Sequence, residues 1–84
     1  MMKREDFPVA KIYVPVKRRE TLVQAKVDEL AALILKDGQT TPILVRVDGD
    51  RDRFVLVEGL HRLEAVKQLG EATIAGYRVD ARKH

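Results

Sequence analysis

With 84 residues, 45% of them hydrophobic, and a net charge of +3, the chain has material for one domain with one modest core. The absence of cysteine excludes disulfide staples, thiolate zinc sites and a cysteine nucleophile, and no apolar run approaches the length of a membrane span. With no Trp, two Phe and two Tyr, the core must be mostly Leu, Val, Ile and Ala.

The start, Met1-Met2-Lys3-Arg4-Glu5-Asp6, lacks the apolar stretch of a signal peptide, so a cytoplasmic protein with no membrane attachment is expected. Lys3, Arg4, Lys11, Lys17, Arg18 and Arg19 crowd the first quarter. Such a patch either attracts phosphate-bearing partners or is a solvated arm. Lys11-Ile12-Tyr13-Val14 reads as a short strand closed by Pro15. Thr21 with Gln24 has the form of a capping box, and Val23, Val27, Leu30, Ala31 and Ile34 then fall on one helical face. Gly38 stops that helix.

Residues 43–47 and 54–57 are β-branched runs around Asp48-Gly49-Asp50-Arg51-Asp52, which together predict a hairpin. The loop is no calcium site, since Arg53 stands where such a loop needs Gly and Gly59 where it needs Glu. Gly59 opens a second helix with Leu63, Val66 and Leu69 inward and Gly70 as its stop. Residues 73–79 read as a last strand and residues 80–84 as a polar tail. The expected fold is a single α/β domain over residues 1–84, core about 12–79, in the order strand, helix, hairpin, helix, strand.

The junction Val57-Glu58-Gly59-Leu60-His61-Arg62 is the main candidate for chemistry. A strand running into a helix leaves the first-turn N–H groups free, and those donors with the helix dipole favour an anion. Gly59 lets a ligand approach the backbone, or it merely eases the turn. Arg62 can add a two-pronged contact and His61 a donor, or both side chains sit in water. His61 and His84 are the only histidines, with no acid cluster near His84, so a His-metal nuclease centre is unsupported.

Glu58-Gly59-Leu60-His61-Arg62, followed by Ala65 and Leu69-Gly70, resembles the signature of the ParB/sulfiredoxin superfamily. So do Val27-Asp28-Glu29-Leu30-Ala31 and Gly38-Gln39-Thr40-Thr41-Pro42-Ile43-Leu44-Val45, similar to the helix and following segment of ParB N-terminal domains, also labelled ParB-like nuclease domains. Arg19, with Arg18, sits where that family has an arginine before its first helix. The resemblance runs from about Ile12 to Val79. It implies a nucleotide, ATP or CTP, with its phosphates at Gly59, Leu60, His61 and Arg62, and Mg²⁺ as an accompanying ion. Gly38, Thr41 and Pro42 would border the pocket, with Thr41 where ParB proteins typically have Gln. The helix-turn-helix and dimerisation modules of partition proteins have no counterpart here, so a full partition protein is not expected.

The sulfiredoxin branch has its catalytic cysteine where Leu60 stands, and leucine cannot act as the sulfur nucleophile. A third branch resembles free-serine kinases, in which an acidic residue precedes the Gly; Glu58 matches it, while Leu60 replaces a histidine. Glu58 could then serve as a general base or help hold Mg²⁺, or merely end the strand. Glu20 is the reserve candidate. Two readings follow. One is a nucleotide-binding domain with slow hydrolysis or phosphoryl transfer. The other is a non-enzymatic, DNA-associated module of plasmid or phage type, contacting phosphates through Lys17, Arg18 and Arg19 and capable of homodimerising.

Overall fold

The computed structural model describes residues 3–39 and 41–79; Met1, Met2, Thr40 and the expected polar tail lie outside them. The chain runs β1 (Glu5–Pro8), a 3₁₀ turn (Val9–Lys11), β2 (Ile12–Tyr13), α1 (Val16–Arg19) and α2 (Gln24–Asp37). It continues through β3 (Ile43–Asp48), a 3₁₀ turn (Gly49–Arg51), β4 (Arg53–Glu58), α3 (Leu60–Gln68) and β5 (Thr73–Arg78). The five strands form one mixed sheet in the order β1-β5-β3-β4-β2. β3 and β4 pair antiparallel as the expected hairpin, and β5 lies parallel to β3 on its other side, so α3 brings the chain into the sheet again at the end where β4 leaves it. Val79, expected at the end of the last strand, continues that ladder by donating to the Val45 carbonyl (2.8 Å).

The core joins Phe7, Ile43, Val45, Leu56 and Ile74 of the sheet to Leu60, Leu63 and Val66 of α3. A second cluster packs Val27 and Ala31 of α2 on Ala65 of α3. Small residues at that crossing let the helices approach closely. Leu30, Ile34 and Leu69, expected inward, are only partly buried at the margins. No polar side chain is buried among the described residues.

Three expectations are corrected. Residues 5–8 lie before the expected core of about 12–79, yet Phe7 is 1% exposed and pairs opposite Ile74, so the sheet starts well before Ile12. α1 was not expected; Pro15 precedes it, with a φ of −56° suited to a helix start. The capping box does not form. Thr21 Oγ1 donates to the Arg18 carbonyl at 2.7 Å, closing α1, and α2 begins at Gln24, after Val23, with no side-chain cap of its own. Gln24 instead donates to Asp28 (2.9 Å) and to Gln68 of α3 (3.1 Å), while Gln68 donates to Asp28 (3.2 Å). These bonds, that from Gln24 first, hold the Asp28 carboxyl below its usual range. Their stabilisation is present above the ordinary carboxylate pKa and is lost as pH falls through the lowered one.

Candidate phosphate-binding site

β4 ends at Glu58 and the chain enters α3 through Gly59, whose φ of 110° suits glycine and strains any other residue. A Cβ built on Gly59 would lie 2.6 Å from Ile43 Cγ2 and 3.0 Å from Ile43 Cβ. The fold therefore requires glycine here on two counts, before any ligand is considered. The Gly59 carbonyl accepts the Leu63 N–H at 2.9 Å, so the helix is regular from its first turn. No side chain caps it. The early N–H groups are left for water or an anion.

The side chains of the turn diverge. Leu60 is 5% exposed and belongs to the core, so its part in the expected phosphate site is limited to its backbone N–H. His61 was expected to donate. Its Nε2 instead accepts the Val23 N–H at 3.0 Å, which puts the ring proton on Nδ1 and leaves that atom as its one donor. The bond supplies from α3 the cap that α2 lacks, and joins the starts of the two helices. Arg62 is half-buried, and the ion pairs among the described residues, made by Lys11, Arg53, Lys67 and Arg78, do not include it.

Glu58 is exposed at the end of β4, opposite Leu44, and is likewise outside those pairs. Glu20 ends α1 and is exposed; Val23, three residues further on, is the residue bonded to His61. The segment carrying the reserve candidate is thus tied to the first turn of α3. Thr41 is exposed and Pro42 half-buried, immediately before the Ile43 that packs on Gly59. Gly38 ends α2 and lines a hollow of about 220 Å³ with Gln39, Val66, Glu71 and Thr73, a lining that includes none of residues 59–62. Arg19 also serves the scaffold, donating from Nε to the Val14 carbonyl at 3.1 Å.

Sequence reasoning missed Gln39. Its Oε1 accepts the Ala75 N–H (3.0 Å) and its Nε2 donates to the Ala75 carbonyl (3.3 Å), so the amide stands in for a strand where β3 has not yet begun. A lone glutamine after a helix stop carries no signal of that role.

The family model of the ParB N-terminal domain matches residues 3–83. The fold is similar to that of sulfiredoxin from Arabidopsis thaliana, with a TM-score of 0.80 and 34% identity over 94% of this chain and 86% of that one. It is also similar to the C-terminally truncated chromosome-partitioning protein ParB from Caulobacter crescentus complexed with CTP-gamma-S (TM-score 0.80, 24% identity, 95% of this chain and 47% of that one). A free serine kinase in complex with ADP gives a TM-score of 0.79 at 19% identity, over 92% of this chain and 31% of that one. The chain thus spans under half of the ParB chain and under a third of the kinase, and these two likenesses are of fold. No curated protein matches the chain.

Proposed function

Because the chain belongs to the ParB N-terminal domain family, we propose that it binds a nucleoside di- or triphosphate, ATP or CTP, in the cytosol, with the phosphates against the first turn of α3. The observation that carries this reading is the uncapped start of α3 directly after β4, with Arg62 half-buried and outside every ion pair of the described residues. Free N–H groups and the helix dipole favour an anion there, and Arg62 adds charge-assisted hydrogen bonds. Leu60 contributes its N–H and His61 its Nδ1–H, while Thr41 and Pro42 border the ligand. Gly38 and Arg19 act at a distance, through the end of α2 and the anchoring of α1. That ParB with CTP-gamma-S and a kinase with ADP share this fold supports a nucleotide as the ligand. Titration with ATP and with CTP, with and without Mg²⁺, tests the reading. No group of three metal-ligating side chains occurs among the described residues, so a Mg²⁺ would be held chiefly by the phosphates, with Glu58, one residue before Gly59, as an added carboxylate. Sulfinic acid reduction is not part of the proposal, because the chain has no cysteine.

Where there is turnover, Glu58 orients or deprotonates the attacking hydroxyl or water, since it is exposed one residue before the Gly that opens α3. Glu58→Gln keeps size and hydrogen bonding and removes the charge. It is expected to lower turnover at least about tenfold, about 1.4 kcal/mol of barrier, with nucleotide affinity nearly intact. Unchanged turnover in that variant moves the role to Glu20, and a wild type without turnover is a binding module.

The second reading is a DNA-associated module of plasmid or phage type, able to homodimerise; its contact with DNA is favoured by α1, whose last turn carries Lys17, Arg18 and Arg19, all exposed. Contacts of that kind reach phosphates and not base edges. Affinity is then expected to be tolerant of sequence and to fall with salt at a log–log slope of about −2 to −3 for three phosphates. A salt-independent affinity, or tight binding to one sequence alone, contradicts it.

A further inference from the structure

β2 is the last strand in the sheet order and pairs only with β4. Tyr13 stands on it, half-buried, with the Arg53 guanidinium 4.0 Å over its ring and that of Arg19 5.9 Å from the ring centre. Two hollows adjoin this ring and share Ile12 and Tyr13. One, of about 390 Å³, has Lys11, Arg51, Asp52 and Arg53 on its walls. The other, of about 330 Å³, has Arg19, Glu64 and Lys67. Five cations thus face two carboxylates across the pair. The guanidinium groups beside the ring are held in place. Arg53 Nε donates to Asp48 at 3.0 Å and Arg19 Nε to the Val14 carbonyl at 3.1 Å, which leaves their other N–H groups for further acceptors. Arg51 is exposed and outside the ion pairs of the described residues.

We propose that the β2 edge is a seat for single-stranded nucleic acid, with a base against the Tyr13 and guanidinium surface and the flanking phosphates on Lys11, Arg51, Arg19 and Lys67. This rests on the second reading above and adds to it the strand state and the place of binding. Proteins that hold single strands combine a cationic groove with flat π surfaces, and any base can stack on them. Each hollow is of a size that takes a small ligand, roughly 300 Å³ or more. Two such hollows sharing one ring suit a ligand that repeats along a chain. An extended peptide fits less well, because β2 is two residues long, between a 3₁₀ turn and Pro15, and offers little ladder to extend. A duplex fits less well too, because α1 has four residues and cannot lie along a groove.

The test measures fluorescence anisotropy of a labelled oligothymidylate, and of a labelled duplex of equal length, with the full chain at low salt. The single strand is expected to bind about tenfold or more tightly than the duplex, and Tyr13→Leu to remove about that factor. Arg51→Ala with Lys67→Ala weakens single-strand binding and flattens its salt dependence by about two contacts. Circular dichroism reports whether Tyr13→Leu is folded, and if it is not, the Arg51→Ala, Lys67→Ala chain decides alone. Equal affinity for single strand and duplex overturns the β2 seat and leaves phosphate contact through α1 standing. Single-strand binding that no folded variant changes does the same. Absence of binding to either form overturns both.

Discussion

Gly59→Ala is expected to destabilise the protein by about 2–5 kcal/mol in denaturant unfolding, the sum of two costs. The first is backbone: at a φ of 110° an L side chain is strained by about 1–2 kcal/mol. The second is crowding. The new methyl would sit 2.6 Å from Ile43 Cγ2 and 3.0 Å from Ile43 Cβ, and Ile43 is 0% exposed on a central strand with no room to retreat. Overpacking of a core in this way costs about 1–3 kcal/mol. Gly70→Ala isolates the first cost, because Gly70 has a φ of 76° and nothing within 4 Å of its would-be Cβ. Equal destabilisation in the two variants would mean that α3 does not lie on β3 as described. The substitution also tilts the first turn of α3, so nucleotide affinity is expected to fall with stability.

Arg62→Ala has the opposite signature. No ion pair of the described residues uses this side chain, so thermal unfolding is expected to match the wild type. Nucleotide binding should weaken by about 1.5–3 kcal/mol, roughly 10- to 150-fold, the range for a hydrogen bond to a charged group. Arg62→Lys keeps the charge and loses the planar fork, and is expected to fall between the two. Calorimetric titration of the three chains reads this directly. Equal affinity in Arg62→Ala and wild type would remove Arg62 from the site, whatever binds there.

Elements whose signal is local were legible in the sequence. The β-branched runs around Asp48 and Asp52 gave the hairpin, and the periodic apolar positions gave α2 and α3. β1 was not legible, since Glu5-Asp6-Phe7-Pro8 has a single large apolar residue and a proline. It is a strand because β5 offers a partner edge and the core has a place for Phe7. Thr21 and Gln24 matched a capping pattern, but their side chains found nearer or better-placed partners in Arg18, Asp28 and Gln68. The start of α2 is capped from α3 by His61, a contact 38 residues away that no local pattern encodes. At the candidate site, the strand, the Gly and the helix start were readable in order. The directions of the side chains were not, because they depend on which face of α3 meets the core. That face takes Leu60 inward, leaving the turn with its backbone donors, the His61 Nδ1–H and Arg62.

Isothermal calorimetric titration of the wild-type chain with ATP and with CTP, each with and without Mg²⁺, tests the nucleotide assignment most directly. Saturable heat is expected with at least one nucleoside di- or triphosphate, lost in proportion to phosphate number down to the nucleoside. Arg62→Ala is expected to reduce affinity while remaining folded. An absence of heat with every nucleotide at concentrations of about 1 mM, where binding free energies near 4 kcal/mol are still detected, contradicts that assignment.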